Sequence, residues 1–271
     1  HTLPLAGSAA LGQTIDSRGE CLALVGGMIH VSPTEEPIRD GVVLIRAGRI
    51  VAVGSRALVQ IPQTSHLLDC SGSTITAGFW NSHVHFFERK WANVATIPAA
   101  ELGRQLQETL TRYGFTSVFD LSSTWENTRQ LRDRIESGEV PGPRILSTGE
   151  GLLPPNAGLP SDQVGNAMGM MKTPLHEVAD AARAAAVAGR LLEEGVDGIK
   201  LFASSPSKST LPDGAIQAAA AVAHRSGKPV FAHANSGADV LAAIRGGVDV
   251  IAHTTPQSGP WDEPILAALK D

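Results

Sequence analysis

From Cys21 to about Thr76 the apolar positions come in short runs broken by turn residues, with no sustained helical period. Cys21 to Ile29 reads as a strand with a break at Gly26-Gly27, Gly41 to Arg46 as a second and Arg49 to Val53 as a third. Ala47-Gly48 between the last two is a compact hairpin turn. Ser65 to Asp69 and Thr74 to Thr76 then flank Ser71-Gly72-Ser73. This pattern predicts a small β-sandwich or β-roll with no chemistry of its own.

At Phe79 the text changes to strands alternating with helices, the mark of a parallel sheet with helical crossovers. The first helix places Leu102, Leu106, Leu110 and Tyr113 on one face and stops at Gly114. Phe115 to Phe119 is a buried strand ending at Asp120. A second helix runs from Trp125 to Ser137, with Leu131 and Ile135 inward, and Arg144 to Ser147 follows as a strand. The Gly/Pro-rich stretch from Gly149 to Thr173 is longer than a connection needs, which makes it a candidate substrate lid. Thr173-Pro174 reads as the start of a helix through Leu175, Val178, Ala182 and Ala186 to Gly195. Three more strands end in Gly198-Ile199-Lys200-Leu201-Phe202, Pro229-Val230-Phe231-Ala232-His233 and Val248 to His253. Gly195, Gly227 and Gly246 stop the helices before them. If Trp261 to Lys270 opens a helix, strand-helix periods number six. The expected organisation is a lead-in over 1–19, a β-sandwich over 20–77 and an α/β barrel of the (β/α)8 TIM type over 78–271, present as about six units.

With 271 residues, 42% hydrophobic and 18% charged, the chain is long enough to bury a sizeable core. A net charge of −5 without a Lys/Arg cluster argues against nucleic acid as a partner. The longest alanine-rich segment, around Ala215 to Ala223, is too short to span a bilayer, so no membrane partner is expected. Cys21 and Cys70 make neither a disulfide framework nor a Cys-x-x-Cys metal site. The compartment stays open between cytoplasm and export: the chain starts at His1, and Ala6 to Thr14 has the small, polar character of a stretch that follows a removed leader.

The stretch carrying most chemistry is Gly78-Phe79-Trp80-Asn81-Ser82-His83-Val84-His85. Side chains recur on one face of a strand every second residue, so His83 and His85 project together, roughly 7 Å apart at Cα. That suits two ligands on one metal ion. Every unusual polar residue of this half stands at the C-terminal end of a strand: His83 and His85, Asp120, Lys200, His233 and His253. In a (β/α) barrel that is the face where catalytic residues converge. Lys200 lies inside an apolar strand, where a charged ammonium is costly to bury and a nucleophilic amine results. Such an amine can add carbon dioxide to form a carbamate able to bridge two cations. It could also pair with Asp120 or form a Schiff base.

The β-rich opening with Asp40-Gly41-Val42-Val43-Leu44 and Gly48 to Gly54, the His-x-His run, Lys200, His233 and Asp249 to Pro256 together resemble the metal-dependent amidohydrolase superfamily. The likeness is greatest to its imidazolonepropionase-like and prolidase-like members. The resemblance implies that His83 and His85 bind the more buried metal, that carboxylated Lys200 bridges, and that His233 and His253 bind the second. Two zinc ions are the implied cofactor, with manganese or iron as substitutes. The implied reaction is hydrolysis of an amide, ester or related bond, as in dipeptides, acyl-amino acids or cyclic amides, by hydroxide activated on metal. Phe86, Phe87, Trp91 and Asn235 are candidates for the substrate pocket.

One feature of the family has no counterpart here: the metal-binding, proton-shuttling aspartate at the end of strand eight. From His83 to Asp271 there are 271 − 83 + 1 = 189 residues, against about 250 for a typical complete barrel. The general-base aspartate is therefore expected beyond Asp271, supplied by further residues, a second chain or a homo-oligomer, with Asp120 a supporting partner. Two other readings stay open: a mononuclear deaminase or hydrolase in which Lys200 remains an amine, and a metal-binding fragment without turnover.

Overall fold

The computed structural model describes residues 21–157, 176–205, 209–258 and 260–270. The chain divides into two units, one reaching to Trp80 and including Leu106–Thr116, the other formed by Asn81–Gln105 and Ser117 onward.

The first unit is built on β1 (Cys21–His30), β2 (Ile38–Arg46), β3 (Arg49–Ser55), β4 (His66–Asp69) and β5 (Thr74–Thr76). These form one sheet in the order β3-β2-β1-β4, with β5 also on β1. β2 is antiparallel to both its neighbours, whereas β4 and β5 run parallel to β1. Ala47 and Gly48 both take positive φ, 48° and 70°, which gives the hairpin the primed turn whose twist matches its strands. Alternation sends Cys21, Ala23, Val25, Val42 and Leu44 into one apolar cluster and Leu22, Leu24, Ile29 and Val43 into another.

The second unit begins inside β6 (Phe79–Val84) and continues with β7 (Phe115–Asp120), β8 (Arg144–Ser147), β9 (Leu152–Leu153), β10 (His176–Glu177), β11 (Ile199–Phe202), β12 (Val230–His233) and β13 (Val250–Ile251). The helices are α1 (Ala99–Thr109), α2 (Trp125–Glu136), α3 (Ala181–Glu193), α4 (Asp213–Arg225), α5 (Gly237–Arg245) and α6 (Glu263–Ala268). Two ladders result, β6-β7-β8 and β10-β9-β11-β12-β13. They are bridged where the Asp197 N–H donates to the Ser147 carbonyl at 2.7 Å. β8 and β9 are thus two pieces of one strand path interrupted at 148–151. Among the described residues, six strand-and-helix steps follow one another, an α/β architecture with parallel pairing from β7 to β8 and from β9 through β13.

The alternation of β11 positions the site. Ile199 and Leu201 point to the helix side, into a cluster with Val187 and Leu191 of α3 and Ala215, Ile216, Ala219 and Ala223 of α4. The alanines leave room for close helix-to-sheet approach. Lys200 must then face the other side of the strand. Burying the apolar members of this cluster is worth about 1.5–3 kcal/mol for each large side chain, enough to impose the register that turns Lys200 inward.

Several expected boundaries shift. Val178 lies in extended chain, its N–H bonded to the Leu153 carbonyl at 2.8 Å. The following helix begins only after Asp180, whose carboxylate caps it by accepting the Arg183 N–H at 2.8 Å. Thr173-Pro174 lies outside the described residues, as does the candidate lid beyond Ala157. The first residues of that lid are no loop, since Leu152 and Leu153 form β9 and are buried. Tyr113 is exposed, because the chain has left α1 for a short 3-10 turn there. After α5 it is Gly247 that takes positive φ. Gly246 is required by packing instead, since a Cβ there would lie 2.2 Å from Cγ2 of Ile216. No helix among the described residues is long and apolar enough to cross a membrane.

Candidate metal centre

Four histidines meet at the C-terminal ends of β6, β12 and β13. His83 Nε2 lies 3.1 Å from His85 Nε2, and His253 Nε2 lies 2.6 Å from His233 Nδ1. The rings of His83 and His253 stack with centroids 5.8 Å apart, which joins the two pairs. His83 Nδ1 also lies 3.1 Å from the carbonyl oxygen of Ala252, just after β13.

The outer nitrogens decide the tautomers. A carbonyl oxygen only accepts, so His83 donates Nδ1–H to Ala252 and His253 donates Nδ1–H to the Thr254 oxygen at 2.8 Å. His233 Nε2 faces the Asn235 side-chain oxygen at 3.0 Å and carries its proton there. What remains bare is Nε2 of His83, Nε2 of His253 and Nδ1 of His233. The latter two nitrogens face each other at 2.6 Å with a lone pair each and no proton between them, an arrangement that a cation relieves. Two nitrogens on one zinc ion sit about 3.3 Å apart when each is about 2.0–2.1 Å from the metal. Both pairs reach that spacing with movements under an ångström. Nδ1 of His85 is buried with no hydrogen-bond partner.

Burial shapes the electrostatics. Desolvation is the main reason that His85 falls to about 3 and His233 to about 4, with neighbouring His83 or His253 and Lys200 adding to it. His83 is lowered by desolvation first and then by Lys200. All three rings are neutral at physiological pH, the form that ligates metal. Lys200 is 1% exposed, and its Nζ has no hydrogen-bond partner. Desolvation alone lowers it to about 7. Nζ lies 5.6 Å from the Phe202 ring centroid, and Phe202 in turn lies 5.1 Å from the His233 ring.

Each histidine couple could contribute two nitrogens to a divalent ion. Among the described residues no three His, Cys, Asp or Glu side chains close around one ion. Lys200, buried and without a hydrogen-bond partner, lies close enough to His83, His85 and His233 to lower them further than burial alone does.

Other sequence candidates stand elsewhere. Asp120 is fully buried, but its carboxylate accepts the hydroxyls of Ser123 at 2.5 Å, Ser147 at 2.8 Å and Thr128 at 3.1 Å. Burial raises it to about 6 against the pull of those hydroxyls. It ties β7, β8 and α2 together and makes no pair with Lys200. Phe86 is on the opposite side of the chain from His85: its ring meets Trp91 edge-on at 5.3 Å, and both are buried. Phe87 stacks on His85 with centroids 4.8 Å apart. Asn235 was legible only as a polar residue near the mouth; its amide contacts His233 and Ser204, and Ser204 contacts Asp239. The spacing of Asn235 two residues after His233 is the signal that could have found this role.

The amidohydrolase family model matches residues 74–271. An ochratoxinase from Aspergillus niger is 26% identical over 273 aligned residues, which cover 87% of this chain and 54% of that protein. Among solved structures, a putative prolidase from Bifidobacterium longum superposes with a TM-score of 0.71 at 24% identity, covering 93% of this chain and 57% of that one. A molinate hydrolase gives 0.73 at 23% identity, covering 93% and 62%. The chain thus spans little more than half the length of these relatives.

Proposed function

This chain belongs to the amidohydrolase family, and from that premise we propose that the protein is a metal-dependent hydrolase of a carbon–nitrogen bond in a small amide. The observation that carries the reading is the pair of facing imidazole couples, His83 with His85 and His233 with His253, around a buried Lys200 without a partner. In this reading each couple holds one divalent ion, zinc being the best match to nitrogen and oxygen donors. Lys200 would take up carbon dioxide: its neutral amine attacks the carbon and loses a proton, and the resulting carbamate would add oxygen donors to the metal-holding set. Its lowered proton affinity supports this, because a substantial share of the amine is neutral near pH 7. Bound divalent ions supply Lewis acidity and make water nucleophilic at neutral pH.

The chain's own residues do the rest. Ala252 and Thr254 carbonyls and the Asn235 amide hold three rings in the ligating tautomer. His85 is stacked on Phe87, which limits how far its ring can tilt. The general-base aspartate of the family is assigned to residues beyond Asp271, and the first unit to part of a composite β-sandwich; the greater length of the relatives supports both. Dipeptides, acyl-amino acids and cyclic amides are the substrate classes, in keeping with relatives named as an ochratoxinase and a prolidase.

The test is hydrolysis of a panel of such compounds by the full-length protein. Turnover that a chelator abolishes and zinc restores supports the reading; turnover that survives complete metal removal overturns it.

A further inference from the structure

We propose that Asp239, acting through Ser204 and Asn235, sets the tautomer of His233 and so presents its Nδ1 to metal. The inference rests on the reading of His233 as a ligand and adds what orients it.

The polarity of every bond in this chain of contacts can be assigned. Asp239 is the third residue of α5, and its Oδ2 accepts the backbone N–H of Asn235 and of Ser236, both at 2.9 Å. The same oxygen lies 2.6 Å from Ser204 Oγ. A carboxylate oxygen already taking two N–H groups can only accept, so the serine gives its proton to Asp239. Ser204 Oγ is left as an acceptor, and Asn235 Nδ2 donates to it at 3.0 Å and to the Ser204 carbonyl at 3.3 Å. Two acceptors around that nitrogen fix which way the amide points. The amide oxygen must then face His233 Nε2, 3.0 Å away. His233 therefore holds its proton on Nε2, and its bare Nδ1 faces His253.

The network is buried: Ser204 is 5% exposed, Asn235 6% and Asp239 7%. Burial and the mutual hydrogen bonds hold the amide and the serine in one orientation, so the polarity of Asp239 is passed to the ring. In a buried network each such bond is stiffer than it would be in water. Asn235 and Asp239 are positioning residues here, since neither reaches the space between the imidazoles.

Outer partners of metal-binding histidines typically contribute 10–100-fold to metal affinity. The experiment uses the metal-free full-length protein, labelled with 15N, and reads the ring nitrogens of His233 by long-range proton–nitrogen correlation. Wild-type protein should show the proton on Nε2. Asn235→Asp keeps an acceptor against the ring and should keep that tautomer, although its two bonds to Ser204 are lost. Asn235→Leu removes the acceptor and should give a mixture of tautomers, with zinc bound about 10–100-fold more weakly at the second half-site. Ser204→Ala should move the tautomer part of the way. A proton on Nδ1 in wild-type protein, or an unchanged tautomer in Asn235→Leu, overturns the proposal. The underlying reading fails separately, if His233→Ala binds zinc as tightly as wild type while the tautomer measurements come out as described.

Discussion

Nδ1 of His233 and Nε2 of His253 stand 2.6 Å apart, and each ring has committed its proton to an oxygen on the far side. Two lone pairs aimed at one another across that distance are unfavourable in the metal-free chain. In the proposed reading a cation between them relieves that repulsion. His253→Ala removes the clash and one donor together. The expected result is a metal-free protein no less stable than wild type, with zinc affinity lowered by at least tenfold, read by thermal unfolding and by zinc titration. A clear loss of stability with unchanged zinc affinity would assign His253 to the fold instead.

Lys200 gives a second expectation, through pH. Burial lowers its folded pKa to about 7 from the ordinary lysine value of 10.5. Between those values the unfolded chain binds a proton that the folded chain does not, so stability rises with pH from about 7 to 10, falls back as pH is lowered over the same range and levels off below 7. The slope is at most about 1.4 kcal/mol per pH unit. Denaturant unfolding of the metal-free protein, in carbon-dioxide-free buffer, should show this rise from pH 7 to 9. Lys200→Met should be more stable than wild type at pH 7 and lack the rise. An identical pH profile in the two proteins would mean that Lys200 stays charged when folded.

In the proposed reading the same lysine supplies a bridging carboxylate once metal is bound. Lys200→Ala should lose most of its metal, and millimolar formate or acetate should restore part of it by placing a carboxylate where the carbamate would stand. Full metal retention in Lys200→Ala without any added acid would exclude a bridging role.

Asp120 is expected to behave oppositely. Its carboxylate satisfies the hydroxyls of Ser123, Thr128 and Ser147 in the interior. Asp120→Ala leaves those groups without an acceptor and should cost roughly 2–4 kcal/mol of stability. Metal content per folded chain should not change. Loss of metal with stability intact would place Asp120 at the centre itself.

Much of the site was legible because strands impose a period of two. His83 and His85 had to share a side, and Lys200 between Ile199 and Leu201 had to face away from the helices once those two packed on α3 and α4. Burial of Lys200 followed from its apolar neighbours. Other features depend on contacts that no local pattern encodes. β9 is two leucines inside glycine- and proline-rich text, and it is a strand because β10 and β11 flank it. Thr173-Pro174 carries a helix-start signal, yet the described helix starts behind Asp180, where Val178 is held extended by the Leu153 carbonyl. Asp120 looked like a member of the site because it ends a strand on the right face. Its three hydroxyl partners come from β8, α2 and the turn after β7, and only the folded chain brings them together. Asn235 was read as a substrate contact, since nothing in sequence tells which way an amide points.

The most direct measurement is elemental analysis of the full-length protein purified in zinc, beside His83→Ala and His233→Ala. The account predicts close to two ions per wild-type chain and a marked loss in each variant, because each removes one member of a facing pair. Unchanged metal content in both variants would contradict it.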